Sequence, residues 1–288
     1  MSTVFLNGEY LPKGQARLSV DDRGFVFGDG IYEVVRVIEG RIFAWAGHAS
    51  RMTRGLSEVK IPFAANDVAG LEAVCMRLIA TNDLGGGEAT VYLQVTRGAA
   101  PRTHYFPPAG TPPTVYAAAS KFTPSRAMRE QGVTAVTFPD FRWGRCDLKT
   151  VNLMGAVLAR QAAHEAGAYE ALMIRDGNLT EGAATNAFVV IDGAVHTYPL
   201  SNFILPGISR EYALEAAREV GVTVIEEPVP EQVLRAASEV FIAGTTTDIA
   251  PIISIDGRAV GSGTPGPVTR RIQEAFRAKL YGAAAVAR

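Results

Sequence analysis

Cysteine is nearly absent from this 288-residue chain: only Cys75 and Cys146 occur, far apart, which excludes a disulfide framework and fits a reducing compartment. Histidine is almost as scarce, and His48, His104, His164 and His196 share no metal-ligand spacing with each other or with the cysteines. A metal centre is therefore not expected. No apolar run reaches the ~18 residues of a membrane span, and the opening MSTVFLNGEYLPKG lacks the basic region and apolar core of a secretory signal. An excess of charge is missing too: 28 Lys and Arg against 29 Asp and Glu leave a formal net charge of −1. That balance offers no basic stripe for nucleic acid and no cationic helix for a membrane surface. The expectation is a cytoplasmic protein whose partners are small molecules or a second copy of itself.

What the chain does have is 48% hydrophobic residues, ample for a core, over a length that favours two domains of roughly 100–200 residues. In the first part, VFLNGEYL reads as a hairpin turning at Asn7-Gly8, and IYEVVRVIEGRIFAW as another turning at Glu39-Gly40. Helices are expected over His48–Val59 and after Asn66 as cap, followed by strands at Thr90–Arg97 and Val115–Ala119 that flank the Pro- and Gly-rich loop GAAPRTHYFPPAGTPPT. The second part reads as strands at Val133–Phe138, Ala171–Ile174, Phe188–Ile191 and Val195–Tyr198, with turns at Asp176-Gly177 and Asp192-Gly193. Helices at Asn152–Ala166, Glu211–Val220 and Pro267–Tyr281 are interleaved. The fold class is α+β: one domain over residues 1–118, a linker at 119–127, and a second domain over 128–288 that carries Lys149.

Lys149 stands in RCDLKTVNLMGAVLARQAAHEAG, just before a helix marked by Leu153, Val157 and Leu158 with Asn152 as cap. On its own it reads as an ordinary solvated lysine. Held near a partly desolvated surface, however, a lysine amine becomes a usable nucleophile for a carbonyl.

The segment RCDLKTVNLMGAVLA resembles the cofactor-lysine segment of the fold-type IV pyridoxal-phosphate enzymes, and among them the D-amino-acid aminotransferases most. The likeness extends through DDRGFVFGDGIYEVVRV, HASRM, VTRGAAPRTHYFP, LTEGAATNAF, ILPGISR and FIAGTTTDIAP, in the family's order. The resemblance implies a two-domain fold, pyridoxal 5'-phosphate as cofactor, and a transaminase that moves the amino group of a D-amino acid such as D-alanine to 2-oxoglutarate in two half-reactions. By the same resemblance Lys149 forms the internal aldimine and later shuttles the proton, and Glu181 faces the pyridine nitrogen. Arg51, Gly207, Ile208, Ser209 and Thr245 bind phosphate, with Thr246 close enough in register to compete, and Leu205 packs near the ring. Read alone, Ser209 is a helix cap and Leu205 a core residue.

Arg102 and His104 sit two apart, so in an extended loop they project to one side and can close on a carboxylate. The D-amino-acid aminotransferases carry an Arg-x-His pair at this place, with Tyr32 matching the tyrosine of the same carboxylate trap and Arg97 a rival for Arg102. In those relatives the pair reaches in from a neighbouring subunit, which implies a homodimer. Branched-chain L-amino-acid aminotransferases share the lysine, glutamate and phosphate ligands but are not expected to carry this loop. An aminodeoxychorismate lyase is the next alternative, and a non-catalytic small-molecule-binding protein on the same scaffold is the alternative from another class. Ala183, Ala184 and Thr185 stand where relatives often present a run of serines, and Gly244 where a relative offers a hydroxyl. These departures bear on cofactor affinity and substrate range more than on the chemistry, since Lys149 and Glu181 are both retained.

Overall fold

The computed structural model describes residues 2–282. Two compact units are formed, one from the residues up to Thr123 together with Leu148–Asn152, the other from Pro124–Asp147 and the residues from Leu153 on.

In the first unit, β1 (Thr3–Leu6), β2 (Glu9–Pro12), α1 (Arg23–Phe27), β3 (Gly30–Ile38), β4 (Arg41–Ile42), α2 (Trp45–Glu58), α3 (Ala65–Thr81), β5 (Glu88–Thr96) and β6 (Thr114–Lys121) follow one another. The strands make one sheet, ordered β2-β1-β6-β5-β3-β4, with every neighbour antiparallel. The first hairpin turns where expected, because Asn7 and Gly8 take left-handed conformations (φ 49° and 96°) that suit a two-residue turn. Along β3 the side chains alternate: Ile31, Val35 and Val37 join Met52 and Leu56 of α2 and Leu71, Cys75 and Leu78 of α3 in one core. Tyr32 and Val34 point to the other face of the sheet and are half-buried.

The second unit contains α4 (Arg126–Gln131), β7 (Val133–Pro139), α5 (Met154–Glu165), β8 (Glu170–Arg175), β9 (Asn178–Gly182), β10 (Asn186–Ile191), β11 (Ala194–Thr197), α6 (Ile208–Glu219), β12 (Val224–Glu226), β13 (Val229–Pro230), α7 (Glu231–Arg235), β14 (Glu239–Gly244), β15 (Asp248–Ile255), β16 (Arg258–Ala259) and α8 (Pro267–Tyr281). Its sheet runs β12-β11-β10-β14-β15-β7-β8-β9-β13, with β16 on β15. Contacts are parallel at β11–β12, β15–β7 and β7–β8 and antiparallel elsewhere. Among the described residues no helix is long and apolar enough to cross a membrane.

Several sequence expectations are corrected. Lys149 groups with the first unit and not with the residues after 128, because main-chain hydrogen bonds add its segment to the open edge of β3. Tyr32 N–H donates to the Lys149 carbonyl at 3.0 Å and Val151 N–H to that of Gly30 at 3.0 Å, with a bridge between Ile31 and Thr150. The expected linker at 119–127 is largely structured, since β6 continues to Lys121 and α4 begins at Arg126. Asn66 is not the cap of α3: Ala64 is, and the Asp67 carboxylate accepts its N–H at 2.9 Å. Neither does Asn152 cap α5, whose N-cap is Leu153. That helix turns Ala159 and Ala163 to the core while Leu153, Val157 and Leu158 face outward, because two small alanines let it lie close on Ala171 and Met173 of β8.

Candidate active site

Lys149 is half-buried at the edge of β3, and its Nζ donates to the Tyr32 hydroxyl at 3.2 Å while lying 4.3 Å from the centre of the Tyr32 ring. Tyr32 stacks on Tyr92 at 5.6 Å, and the Tyr92 hydroxyl donates to Gln94 at 2.7 Å. Burial, with smaller contributions from Tyr32 and Tyr116, pushes the Tyr92 phenol up to about 12, so it is a neutral donor at any ordinary pH. The amine is thus presented from a fixed main chain, on a bridged segment that cannot slide without breaking two backbone hydrogen bonds.

On the face of β3 opposite Tyr32, Glu33 is buried and holds the α2 side chains His48 and Arg51, one turn apart. Arg51 grips both carboxylate oxygens, through Nε at 2.7 Å and Nη2 at 2.7 Å, in a fork geometry. His48 Nδ1 lies 2.8 Å from Glu33 Oε2. Burial raises the Glu33 carboxyl, but the Arg51 charge and the hydrogen bonds from Arg51 and His48 outweigh it and hold the group at about 2. His48 is shifted below its ordinary value by burial first, with Arg51 and Lys149 adding to the effect against Glu33. An ionised carboxylate has only acceptors, so a neutral His48 carries its proton on Nδ1.

Arg97 is engaged elsewhere. It binds Asp29 through Nε at 2.8 Å and Nη2 at 2.9 Å, and donates to the carbonyls of Lys60 and Val59. Arg23 holds the same carboxylate at 2.8 Å and ties the loop at the Thr103 carbonyl. Arg102 and His104 are exposed and gather on one ring: the Arg102 guanidinium lies 5.2 Å from the centre of Phe27 and the His104 ring 5.6 Å from it. The structure does not bring Arg102 and His104 against Tyr32 within the chain.

The second unit assembles the remaining predicted residues. Glu181, at the end of β9, is buried; its Oε1 accepts from Arg142 Nη1 at 2.5 Å, and its Oε2 from Asn186 Nδ2 at 2.9 Å and the Leu205 amide at 3.1 Å. Burial pushes this carboxyl up to about 7, with Arg142 and the Leu205 amide acting against it and Asp140 adding to it. Asn186 also donates to the Leu205 carbonyl at 2.9 Å. A Cβ on Gly207 would fall 2.0 Å from Asn186 Oδ1, so only glycine fits where the loop passes this side chain. Gly207 is the N-cap of α6, with no side-chain cap. Ile208 and Ser209 are the first two helical residues, so Ser209 is not the cap that sequence suggested. The first-turn amides of α6 have no intrahelical partner, and with the helix dipole they suit an anion. Buried Arg210 adds positive charge there, hydrogen-bonded to the Tyr198 carbonyl and Glu226.

Thr245, Thr246 and Thr247 form the β14–β15 hairpin loop, closed by Gly244 opposite Asp248. Thr245 is half-buried, Thr246 exposed, and the Thr247 hydroxyl lies 3.3 Å from that of Tyr169. Gly244 and Thr185 are packed neighbours, since a Cβ at 244 would sit 3.3 Å from Thr185 Cγ2. Gly244 thus lies beside the member of the 183–185 run that keeps its hydroxyl. Sequence reading missed Glu33, His48, Arg142 and Asn186. Glu33 alone left a signal, as a carboxylate on the inward-facing alternate of an apolar strand.

Residues 30–255 match the family model for amino-transferase class IV. The chain is 39% identical over 276 residues to a D-alanine aminotransferase of Staphylococcus haemolyticus, covering 96% of this chain and 97% of that one. To the D-alanine aminotransferase of Bacillus licheniformis it is 38% identical over 274 residues, covering 95% of each. Among solved structures, a branched-chain amino acid aminotransferase of Escherichia coli superposes with a TM-score of 0.91 at 28% identity, covering 98% and 95%. That of Thermoproteus uzoniensis superposes with a TM-score of 0.85 at 26% identity, covering 99% and 97%. Each group is by itself chemically suited to part of a phosphorylated aldehyde cofactor, the buried carboxylate to a ring nitrogen, the helix start to a phosphate and the lysine amine to an aldehyde, and the chain belongs to the class IV aminotransferases.

Proposed function

We propose that this protein is a pyridoxal-phosphate transaminase that takes the amino group of a D-amino acid such as D-alanine and passes it to 2-oxoglutarate, giving a 2-oxo acid and D-glutamate. When bound, the cofactor supplies an aldehyde and an electron-accepting ring. Lys149 would hold that aldehyde through its amine, and the same amine, when free, would serve as the base for the proton at the substrate Cα. Glu181 carries the charge that complements a protonated ring nitrogen. Arg51, the amides of Ile208 and Ser209, Gly207 and Thr245, with Thr246 beside it, hold the phosphate, and Leu205 packs on the ring. Tyr32, Arg102 and His104 bind the substrate carboxylate.

The observation that carries the D-specific reading is the loop Pro101-Arg102-Thr103-His104, whose cation and imidazole are exposed and gathered on Phe27. The similarity to D-alanine aminotransferases over nearly the whole chain supports it. The branched-chain structures share the fold at lower identity, which makes an L-specific transaminase the rival. A half-reaction separates them: the cofactor-loaded protein is mixed with D-alanine or with L-leucine and the cofactor's absorbance followed. Conversion to the amine form is expected with D-alanine and not with L-leucine; the reverse result would transfer the protein to the branched-chain group.

A cytoplasmic homodimer is part of the proposal, with Arg102 and His104 serving the neighbouring subunit. Support comes from α5, which leaves Met154, Val157 and Leu158 exposed by 66%, 56% and 53% at i, i+3 and i+4. An apolar stripe of this kind calls for cover. Leu158→Glu is expected to weaken self-association by about 2 kcal/mol, roughly 30-fold in dissociation constant. Sedimentation equilibrium checks this, and an unchanged constant would remove α5 from the interface.

A further inference from the structure

The Glu181 carboxylate is one end of a buried chain of alternating charge. Arg142 touches it at 2.5 Å and is itself clamped by Asp140, which accepts from Arg142 Nε and Nη2 at 2.9 Å each. Arg175 holds the far side, donating to Asp140 at 3.2 Å and to the Arg142 carbonyl at 2.8 Å, and the Thr180 hydroxyl lies 3.3 Å from Asp140. The guanidinium therefore has one orientation: Nε and Nη2 are committed to Asp140, and only Nη1 is directed at Glu181. The start of α5 closes the other side, since a Cβ on Gly155 would fall 2.9 Å from Arg142 Cγ.

A carboxylate accepts about four hydrogen bonds. Three positions on Glu181 are taken, by Arg142, Asn186 and the Leu205 amide, which leaves room for one further donor. We propose that Arg142 is a positioning residue for amino transfer: its ion pair keeps Glu181 ionised and aimed, so that the proton shared with the cofactor's ring nitrogen resides on the nitrogen and not on the carboxylate. This rests on the reading that Glu181 meets that nitrogen.

The electrostatic surroundings agree. The groups facing Glu181 are Arg142, Asp140, Asn186, the Leu205 amide and Cys146, whose thiol burial pushes up to about 11 and so keeps neutral. Arg142 is the principal opposition to a burial that already drives the carboxyl upward. With Arg142 gone, Asp140 would oppose ionisation and only neutral hydrogen bonds would favour it. A proton arriving at the pair would then stay on Glu181, leaving the ring nitrogen neutral and the ring a poorer acceptor of electrons.

The test uses holoenzyme reconstituted with cofactor labelled with nitrogen-15 in the ring, whose resonance differs between protonated and neutral nitrogen. Wild type is expected in the protonated range, and Glu181→Gln in the neutral range. Arg142→Met is expected to move most of the way to neutral, with Arg142→Lys retaining part of the wild-type position because it keeps the charge and loses the fork. If Glu181→Gln is neutral while Arg142→Met keeps the wild-type resonance, even with a lowered melting temperature, Arg142 is only structural and the proposal is overturned. An unchanged resonance in Glu181→Gln would instead overturn the reading of Glu181 itself. Should Arg142→Met fail to fold, Arg142→Gln, which also removes the charge, carries the same comparison, and a wild-type resonance there at lowered melting temperature counts against the proposal.

Discussion

Lys149→Ala is expected to yield a protein that folds, retains cofactor only reversibly, and converts D-alanine roughly 10^4-fold more slowly than wild type, the upper range for losing a positioned acid–base group. The structure separates the two roles of this residue. Its main-chain carbonyl accepts from Tyr32 and so helps hold the strand edge, a contact alanine preserves, whereas its side chain donates to the Tyr32 hydroxyl, lies over the Tyr32 ring and acts on His48 through its charge. Loss of that cation–π contact costs about 0.5–1 kcal/mol, too little to unfold the unit. Borohydride reduction followed by peptide mapping is the decisive measurement: wild type should carry the cofactor covalently on the peptide containing residue 149, and Lys149→Ala on none. Covalent attachment that survives the substitution would mean another amine holds the aldehyde and would remove Lys149 from the centre of the proposal.

The elements the sequence placed well are those whose signals are local. Asn7-Gly8, Glu39-Gly40, Asp176-Gly177 and Asp192-Gly193 each take left-handed conformations at both residues, and that requirement is written in the residue types themselves. The helix starts were less legible because the competing signals lie outside the local window. Asn66 resembled a cap, yet α3 begins two residues earlier once Asp67 binds the Ala64 amide. Asn152 resembled a cap for α5, but its stretch of chain is committed to the edge of β3. Sheet pairing over more than a hundred residues of separation overrides such preferences and leaves no trace in a window of twenty.

The site shows the same division. Lys149, Glu181 and the α6 start stood in recognisable short motifs. Arg142 carries no motif of its own, and its partner lies 39 residues downstream. Its role depends on burial, which a sequence of mixed polar and aromatic residues around Phe141 and Trp143 does not announce. Glu33 was the exception. A carboxylate between Ile31 and Val35 on the inward face of a strand must find a cation or unfold the sheet, and the pattern already posed that question. The answer, a helix bringing Arg51 and His48 to it, came only with the fold.

That buried pair gives the second large effect. Glu33→Ala removes the carboxylate that Arg51 and His48 share and leaves the guanidinium in the core without its main counter-charge, a change expected to destabilise the first unit by about 3–5 kcal/mol. Glu33→Gln is the milder probe, since it keeps the shape and removes the charge, and it fixes the pH dependence. Glu33 has a folded value near 2, below its ordinary 4.5, so the folded protein binds this proton less readily than the unfolded chain. Its contribution is accordingly complete above about pH 4.5 and is lost as pH falls toward 2, on the order of 3 kcal/mol over the window. Urea melts of wild type and Glu33→Gln between pH 3 and 6 should show a stability gap that is widest at pH 6 and narrows steadily on acidification. A gap that is constant across that range would mean that shape and hydrogen bonding, and not the charge of Glu33, secure α2 against β3, and the fork on Arg51 would lose its standing as the reason this carboxylate is tolerated in an apolar core.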